Sequence, residues 1–120
     1  MLHGTNAWVH GPALTALGHI GPEAKETIPL IVEFLAKPKN RIMAIQALGG
    51  MGPAAGETVE RLIPFLESDI ANERLITCVA LLKIGPNAWR STNVLATLAR
   101  DDQDSRVREW AGKALESIRK

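Results

Sequence analysis

Residues whose types could support catalysis or metal binding are few in this sequence. His3, His10 and His19 lack the helical spacing with carboxylates that a metal site requires. Cys78 is the single cysteine, which excludes an internal disulfide and a multi-cysteine zinc site, and its place in a helical pattern indicates an inert core thiol. The glycines lie at predicted helix ends and form no phosphate-binding loop. We therefore expect no catalytic, cofactor-binding or metal-binding residue and no enzyme activity.

Arginine recurs at one position of three similar segments, as Arg41, Arg74 and Arg108. Three guanidinium groups about one repeat apart could bind an anionic partner. Alternatively, each arginine could hold a neighbouring loop, because guanidinium groups form bidentate pairs with carboxylates. The acids available nearby are Asp69, Asp102 and Asp104. We favour the structural role, and we leave partner binding by Arg41 and Arg74 open in case their side chains are free.

The composition indicates one ordinary globular domain without a strong electrostatic preference. The chain has 120 residues, of which 46% are hydrophobic and 22% are charged. Lys and Arg number 14 against 13 Asp and Glu, so the net charge of +1 gives no overall attraction to nucleic acid or anionic lipid. No basic leader and no run of ~18 apolar residues is present, so we expect a cytoplasmic protein that does not contact a membrane.

A recurring Gly-Pro pair indicates the elements that position these residues. It occurs in "ALGHIGPEA", "ALGGMGPAA" and "ALLKIGPNA", where Pro22, Pro53 and Pro86 are separated by 31 and 33 residues. Glycine adopts the left-handed conformation that ends a helix, and proline fits the first turn of the next helix. A period of this length indicates a stacked array. We predict a single domain, 1–120, composed of a half repeat at 1–21 and full repeats at 22–52, 53–85 and 86–120.

Each full repeat predicts two helices, helix A after the Gly-Pro pair and helix B after a loop. Apolar residues recur on one face of helix A, and Pro29 and Pro64 inside it are expected to cause kinks. Small residues recur on helix B, which lets neighbouring helices approach closely. These small positions are Ala44, Thr77 and Ala111, then Ala47, Ala80 and Ala114. Helices this short need stacking for stability, so we expect one cooperative array.

The chain resembles HEAT-like repeats, particularly the short bacterial type also found in phycobilin lyases. The resemblance rests on the "ALG-x-[IM]-GP-x-A" junction, on the arginine before the small residues of helix B, and on the helix A segments "IPLIVEFL" and "LIPFLES". It covers nearly all residues from Ala13 onward. It implies an all-α, right-handed solenoid of about three and a half helix-pair repeats, in which helix B lines the concave side of a curved scaffold.

The concave side that the resemblance implies would carry an apolar strip. Leu75, Val79 and Leu82 share one face of the middle helix B, and Ile42 holds an equivalent position on the preceding one. In the last repeat these positions are charged. An exposed strip would anchor a partner helix or an extended peptide, whereas a buried strip would only pack against adjoining helices. Both alternatives are open at this point.

Two further features could serve binding. Trp89 is predicted to be exposed on the first turn of a helix A, where it would be a contact point, unless its ring lies flat over aliphatic neighbours. The half repeat at 1–21 does not resemble a polar cap. It could therefore pair with a second copy of the chain as a homodimer, bind another protein, or belong to a longer array.

These observations predict a non-catalytic scaffold that binds another protein or a peptide through a curved helical groove. The predicted contact residues are Arg41, Ile42, Arg74, Leu75, Val79, Leu82 and Trp89. A nucleic-acid-binding protein is an alternative that Glu109 and Glu116 disfavour, because they occupy the face that should be basic. The other alternative is an accessory subunit of a bilin lyase-type enzyme.

Overall fold

Helices form nearly all of the computed structural model, which describes residues 28–119 of the chain. No strand occurs in that part, and with the recurring helix pairs it is an all-α solenoid, as predicted. The half repeat at 1–21 and the junction at Pro22 lie outside the described residues. The α-helices are α1 (Ile28–Phe34), α2 (Arg41–Gly50), α3 (Val59–Leu62), α4 (Ala71–Ile84), α5 (Thr92–Asp101) and α6 (Ser105–Arg119). Three 3-10 helices lie between them, at Gly52–Thr58, Ile63–Glu67 and Gly85–Ser91.

The two described Gly-Pro junctions have the expected backbone. Gly52 has φ 61° and Gly85 has φ 75°, both in the region that residues with a Cβ rarely adopt. Pro53 and Pro86 follow in the first turn of a 3-10 helix. At the end of α4 the Gly85 N–H donates to the Leu81 carbonyl. Each pair thus ends one helix and begins another without a linker.

The segment after each Gly-Pro pair differs from the prediction, because it is a seven-residue 3-10 helix and not α-helix. The Thr58 hydroxyl donates to the Ala55 carbonyl at 2.7 Å, and the Ser91 hydroxyl donates to the Ala88 carbonyl at 2.6 Å. Both hydroxyls are buried and occupy the residue just before an α-helix begins. They satisfy carbonyls three residues back, which suits the tighter turn.

Pro64 interrupts its helix, as predicted, because α3 ends at Leu62 and a 3-10 helix continues from Ile63 to Glu67. Proline has no N–H to donate into an α-helix. In the next repeat Thr97 takes the position of Pro64, and α5 runs without a break. The two repeats thus differ at this position: the helix with proline is interrupted, and the helix with threonine is continuous. Pro29 is the second described residue of α1, so the kink predicted there stays a prediction.

The helices form two layers, with α2, α4 and α6 packed side by side and α4 in the middle. The predicted small positions on these helices are all buried. A Cβ added to Gly49 on α2 would lie 2.8 Å from the Ala80 Cα on α4. This contact is closer than side chains permit, so the glycine sets the distance between the two helices.

Candidate partner-binding site

A row of three apolar side chains, here called the α4 row, lies on the solvent-facing side of α4. Its members are Leu75, Val79 and Leu82. All three side chains are half-buried. Leu75 and Leu82 pack partly against the core, and Ile42 on α2 is half-buried as well. The row is thus neither fully open nor sealed by the adjoining helices. Its use for partner binding stays a prediction.

Polar residues border the α4 row on both sides. On α2 the neighbouring exposed residue is Gln46. On α6, Glu109 and Lys113 are exposed, with the Lys113 Nζ 3.4 Å from Glu109 Oε2 and 4.4 Å from the centre of the Trp110 ring. Glu116 continues this charged side of α6. The fully exposed residues beside the row are therefore polar or charged, and Ile42 on α2 adds one half-buried apolar side chain.

On α2, Gly49 stands where Leu82 stands on α4, and it is buried against Ala80. The physical reason is that α2 and α4 approach most closely at this glycine.

The recurring arginines Arg41, Arg74 and Arg108 are here called the arginine column. Arg74 forms three hydrogen bonds within the chain. Its Nε donates to Asp102 Oδ2 at 2.8 Å and its Nη2 donates to Asp102 Oδ1 at 3.1 Å, which is a bidentate pair. Its Nη1 donates to the Ser68 carbonyl at 2.8 Å. Arg74 therefore ties its own A-to-B loop to the corresponding loop of the next repeat.

Arg41 makes the equivalent contacts with different partners. Its Nε donates to the Leu35 carbonyl at 2.8 Å, and its Nη1 lies 3.4 Å from both carboxylate oxygens of Glu73 at the start of α4. Its guanidinium also stacks 4.9 Å from the centre of the Phe65 ring. Arg108 donates to the Asp102 carbonyl. Each arginine of the column thus bonds the carbonyl six residues before it.

The acids that hold the arginine column are only partly those expected. Asp102 is one of the three predicted partners, whereas Asp104 pairs with Arg106 instead. Asp69 makes no hydrogen bond or ion pair with another residue in the range 28–119. Glu73 was missed, because it lies at the start of a helix and not in a loop. Partner binding by Arg41 and Arg74 was left open in case their side chains were free. Both guanidinium groups are instead bonded within the chain.

Two backbone turns place these acids. The Asp104 N–H donates to Asp102 Oδ1 at 2.9 Å, and the Ile70 N–H donates to the Ser68 hydroxyl oxygen at 3.1 Å. Ser68 in turn donates to Glu73 Oε1 at 2.8 Å. Asp and Ser side chains commonly accept from the N–H two residues later. The same local turn therefore precedes both α4 and α6.

Burial and hydrogen bonding act in opposite directions on Asp102, whose side chain is only 4% exposed. Burial opposes its ionisation, but the hydrogen bonds from Arg74 and from the Asp104 N–H outweigh this and place the pKa of Asp102 below its usual value. The hydrogen bond to Asp102 correspondingly raises the pKa of Arg74. The pair is thus charged at neutral pH.

Cys78 on α4 is fully buried, as predicted for a core thiol. Burial raises the pKa of its thiol to about 12. The thiolate is the reactive form of cysteine, so this thiol is chemically inert in the folded chain.

Trp89 is 61% exposed on the 3-10 helix Gly85–Ser91. The Arg90 guanidinium lies 5.1 Å from the centre of its ring, and Arg90 also pairs with Glu60. Trp89 lines a groove of about 530 Å³ together with Pro53 and Asn87. Its exposure agrees with the sequence, and its role as a contact point stays a prediction.

Metal-ligand clusters and membrane-spanning helices do not occur within residues 28–119. No group of three or more His, Cys, Asp or Glu side chains there could hold a metal ion. His3, His10 and His19 lie outside the described residues, as does the half repeat of the homodimer hypothesis. None of the described helices is both long enough and apolar enough to span a membrane.

Comparison with known proteins gives one match. A family model described as HEAT repeats matches residues 28–116, well over half of the 120 residues. No curated protein and no solved structure matches the chain.

Proposed function

Because the chain belongs to the family of HEAT-repeat proteins, which generally mediate protein–protein interaction, we propose that it is a non-catalytic scaffold that binds a protein partner through a curved groove on the solvent-facing side of α2, α4 and α6. The partner presents a helix or an extended peptide with apolar side chains. It binds over the α4 row, with the charged side of α6 at its margin.

The α4 row is the observation that carries this proposal. Leu75, Val79 and Leu82 follow the i, i+4, i+7 spacing of one helix face and leave part of their surface exposed. Fully burying such a side chain from water is worth about 1.5–3 kcal/mol, so completing the burial of a half-buried one would add roughly 1 kcal/mol. The three side chains of the row, together with Ile42, would form the apolar centre of an interface, and the polar residues around them would form its rim.

The arginines have a secondary part in this proposal. The Arg41 and Arg74 side chains are 22% and 15% exposed. They would touch a partner only through that exposed part, because their guanidinium groups are held within the chain. Trp89 lies on a 3-10 helix at the Gly-Pro side and would extend the contact only for a partner that reaches that side.

The alternatives are less well supported. A nucleic-acid duplex on this side would meet Glu109 and Glu116, which are exposed on α6 and would repel phosphates. The accessory role in bilin attachment stays a prediction that no described contact favours.

The experiment is a quantitative affinity capture from a lysate of the source organism, with tagged protein as bait. Val79→Glu places a charge in the α4 row at a side chain that is only half-buried. We expect the Val79→Glu bait to lose a protein that the wild-type bait captures. Lys83→Glu, an exposed control on the same helix, should still capture that protein. Circular dichroism checks that both variants are folded. Capture of the same proteins by all three chains would contradict the proposal.

A further inference from the structure

A groove at the loop edge of the solenoid is separate from the α4 row. It lies between the A-to-B loop at 66–69 and α5, and it has a volume of about 580 Å³. Its floor is apolar, formed by Leu66, Val94 and Leu98. Leu66 is fully buried and the other two are half-buried. We call it the loop-edge groove.

The rim of the loop-edge groove is acidic. Glu67, Asp69 and Asp101 line it and are exposed, and Asp102 lies below them. The carboxylates of Glu67 and Asp69 make no hydrogen bond or ion pair with another described residue, and Asp101 pairs only with its exposed neighbour on α5. Arg74 is the one cation among the lining residues; it pairs with Asp102 and also attracts Asp69 and Asp104, so the acids outnumber it. The groove is therefore strongly negative in a chain of net charge +1.

The chain contains a second groove at the same place one repeat earlier, which shows that stacking alone does not require the acids. That groove has a volume of about 320 Å³ and is lined by residues that include Leu35, Ala36, Arg61 and Phe65. Leu35 and Phe65 correspond to Leu66 and Leu98, so the apolar floor is shared. Ala36 stands where Glu67 stands, and the cation Arg61 stands where Val94 stands. The acidic rim is thus particular to the loop-edge groove.

We propose that the loop-edge groove binds a short segment of a partner protein that carries a Lys or Arg side chain beside an aliphatic one. The aliphatic side chain packs on Val94 and Leu98, above the buried Leu66, and the cation is held by Glu67 and Asp69. The volume lies in the range of small-ligand sites, so the groove takes only a few side chains. Anionic ligands such as nucleic acid are repelled by the same rim. The proposal goes beyond the scaffold function, because it concerns another surface and does not need the α4 row.

The test uses the full chain and an array of labelled hexapeptides, each with two Lys or Arg residues among Leu, Ile and Val. Matched peptides carry Glu in place of the cations, or Ser in place of the aliphatic residues. Binding is measured by fluorescence anisotropy at low and high salt. We expect the cationic, aliphatic peptides to bind and both matched sets to fail. Failure of every peptide to bind with a dissociation constant below about 1 mM would overturn the proposal.

Variants locate the binding. Glu67→Gln with Asp69→Asn removes two exposed charges and should weaken binding about fivefold, because exposed ion pairs are individually weak. Glu109→Gln with Glu116→Gln on α6 removes the same charge elsewhere and should leave binding unchanged. Thr97→Arg, at an exposed groove position on α5, should abolish binding without disturbing the core.

Two results would contradict this location. An equal loss in the two double variants would mean that net charge alone attracts the peptides. Loss of peptide binding in Val79→Glu would place the peptide on the α4 row instead, which supports the scaffold function and overturns the second surface. A third outcome is that Val79→Glu abolishes capture of a protein from the lysate while no peptide binds the chain. This outcome would support the scaffold function and refute the loop-edge proposal.

Discussion

Asp102 connects two repeats through a single residue. Its carboxylate accepts two hydrogen bonds from the Arg74 guanidinium and one from the Asp104 N–H, and its carbonyl accepts one from Arg108. Each of these contacts fixes a different element: the preceding helix B, the loop itself and α6. A side chain that is 4% exposed and carries this many bonds has a large effect when it is changed.

We predict that Asp102→Asn destabilises the chain by about 2 kcal/mol at pH 7, because Arg74 keeps its charge and loses its carboxylate in a half-buried place. Asp101→Asn is the control. Asp101 and its partner Arg100 are both exposed, so this change should cost less than about 0.5 kcal/mol. Urea denaturation of the three proteins measures the difference, and equal midpoints for the two variants would contradict the role of Asp102.

The same pair predicts an acid dependence of stability. The pKa of Asp102 is lowered on folding, so its contribution is present above the usual carboxyl pKa of about 3.9 and is lost as pH falls through the lower folded value. The gap in unfolding free energy between wild type and Asp102→Asn should therefore narrow as pH drops below about 4. A gap that stays constant down to pH 2 would show that the carboxylate charge is not what stabilises the loop.

At the scale of the helices, two glycines should respond to alanine in opposite directions. Gly49→Ala places a Cβ 2.8 Å from the Ala80 backbone and should cost about 1–3 kcal/mol through overpacking. Gly112 lies inside α6, where an added Cβ meets no atom within 4 Å and φ is not positive. Gly112→Ala should therefore stabilise the chain by about 0.5–1 kcal/mol, through helix propensity. Thermal unfolding of both variants tests this, and a shift of the same sign in both would refute the packing argument.

The helices and the break at Pro64 were predictable from the sequence, but the 3-10 helices that follow the Gly-Pro pairs were not. Gly52 and Gly85 carry a backbone requirement that is readable from residue type, and the small residues of helix B indicated which sides pack. The 3-10 helices after the Gly-Pro pairs end in Thr58 and Ser91, which bond back to carbonyls within them, but such residues are also common in ordinary helix starts. The closeness of α2 and α4 at Gly49 could not be deduced either, since a glycine near a helix end usually indicates a cap.

The candidate site was harder to predict than the fold, because the exposure of its residues depends on the relative orientation of neighbouring repeats. The spacing of Leu75, Val79 and Leu82 placed them on one face, but their partial burial results from α2 and α6 on both sides of α4. The partner of Arg41 is an acid at the start of α4, 32 residues away, and helical periodicity carries no information on contacts between repeats. The loop-edge groove likewise exists only after two repeats are stacked.

For the molecule as a whole, Cys78 reports on the integrity of the stack. Its thiol is buried on the middle helix and its pKa of about 12 keeps it protonated at pH 8. A thiol reagent can therefore react only when the array opens. If the array opens as one unit with a stability of about 5 kcal/mol, labelling at pH 8 should be roughly a thousandfold or more slower than in denaturant.

Asp102→Asn supplies the comparison for this labelling experiment, because the variant is less stable and should react correspondingly faster. Rates that follow the unfolding free energies of the two proteins indicate one cooperative unit. Equal rates in both would indicate that Cys78 becomes accessible through a local opening that does not involve the Arg74–Asp102 pair.

The acids that pair with the arginine column come from two different positions in the repeat. This difference affects how much the loops between helices can vary. Arg41 finds its acid at the first turn of the following helix B, and Arg74 finds its acid in the following loop. The joint between neighbours therefore does not depend on one loop length. A loop that gains or loses a residue can still form an ion pair with its neighbour from the other position.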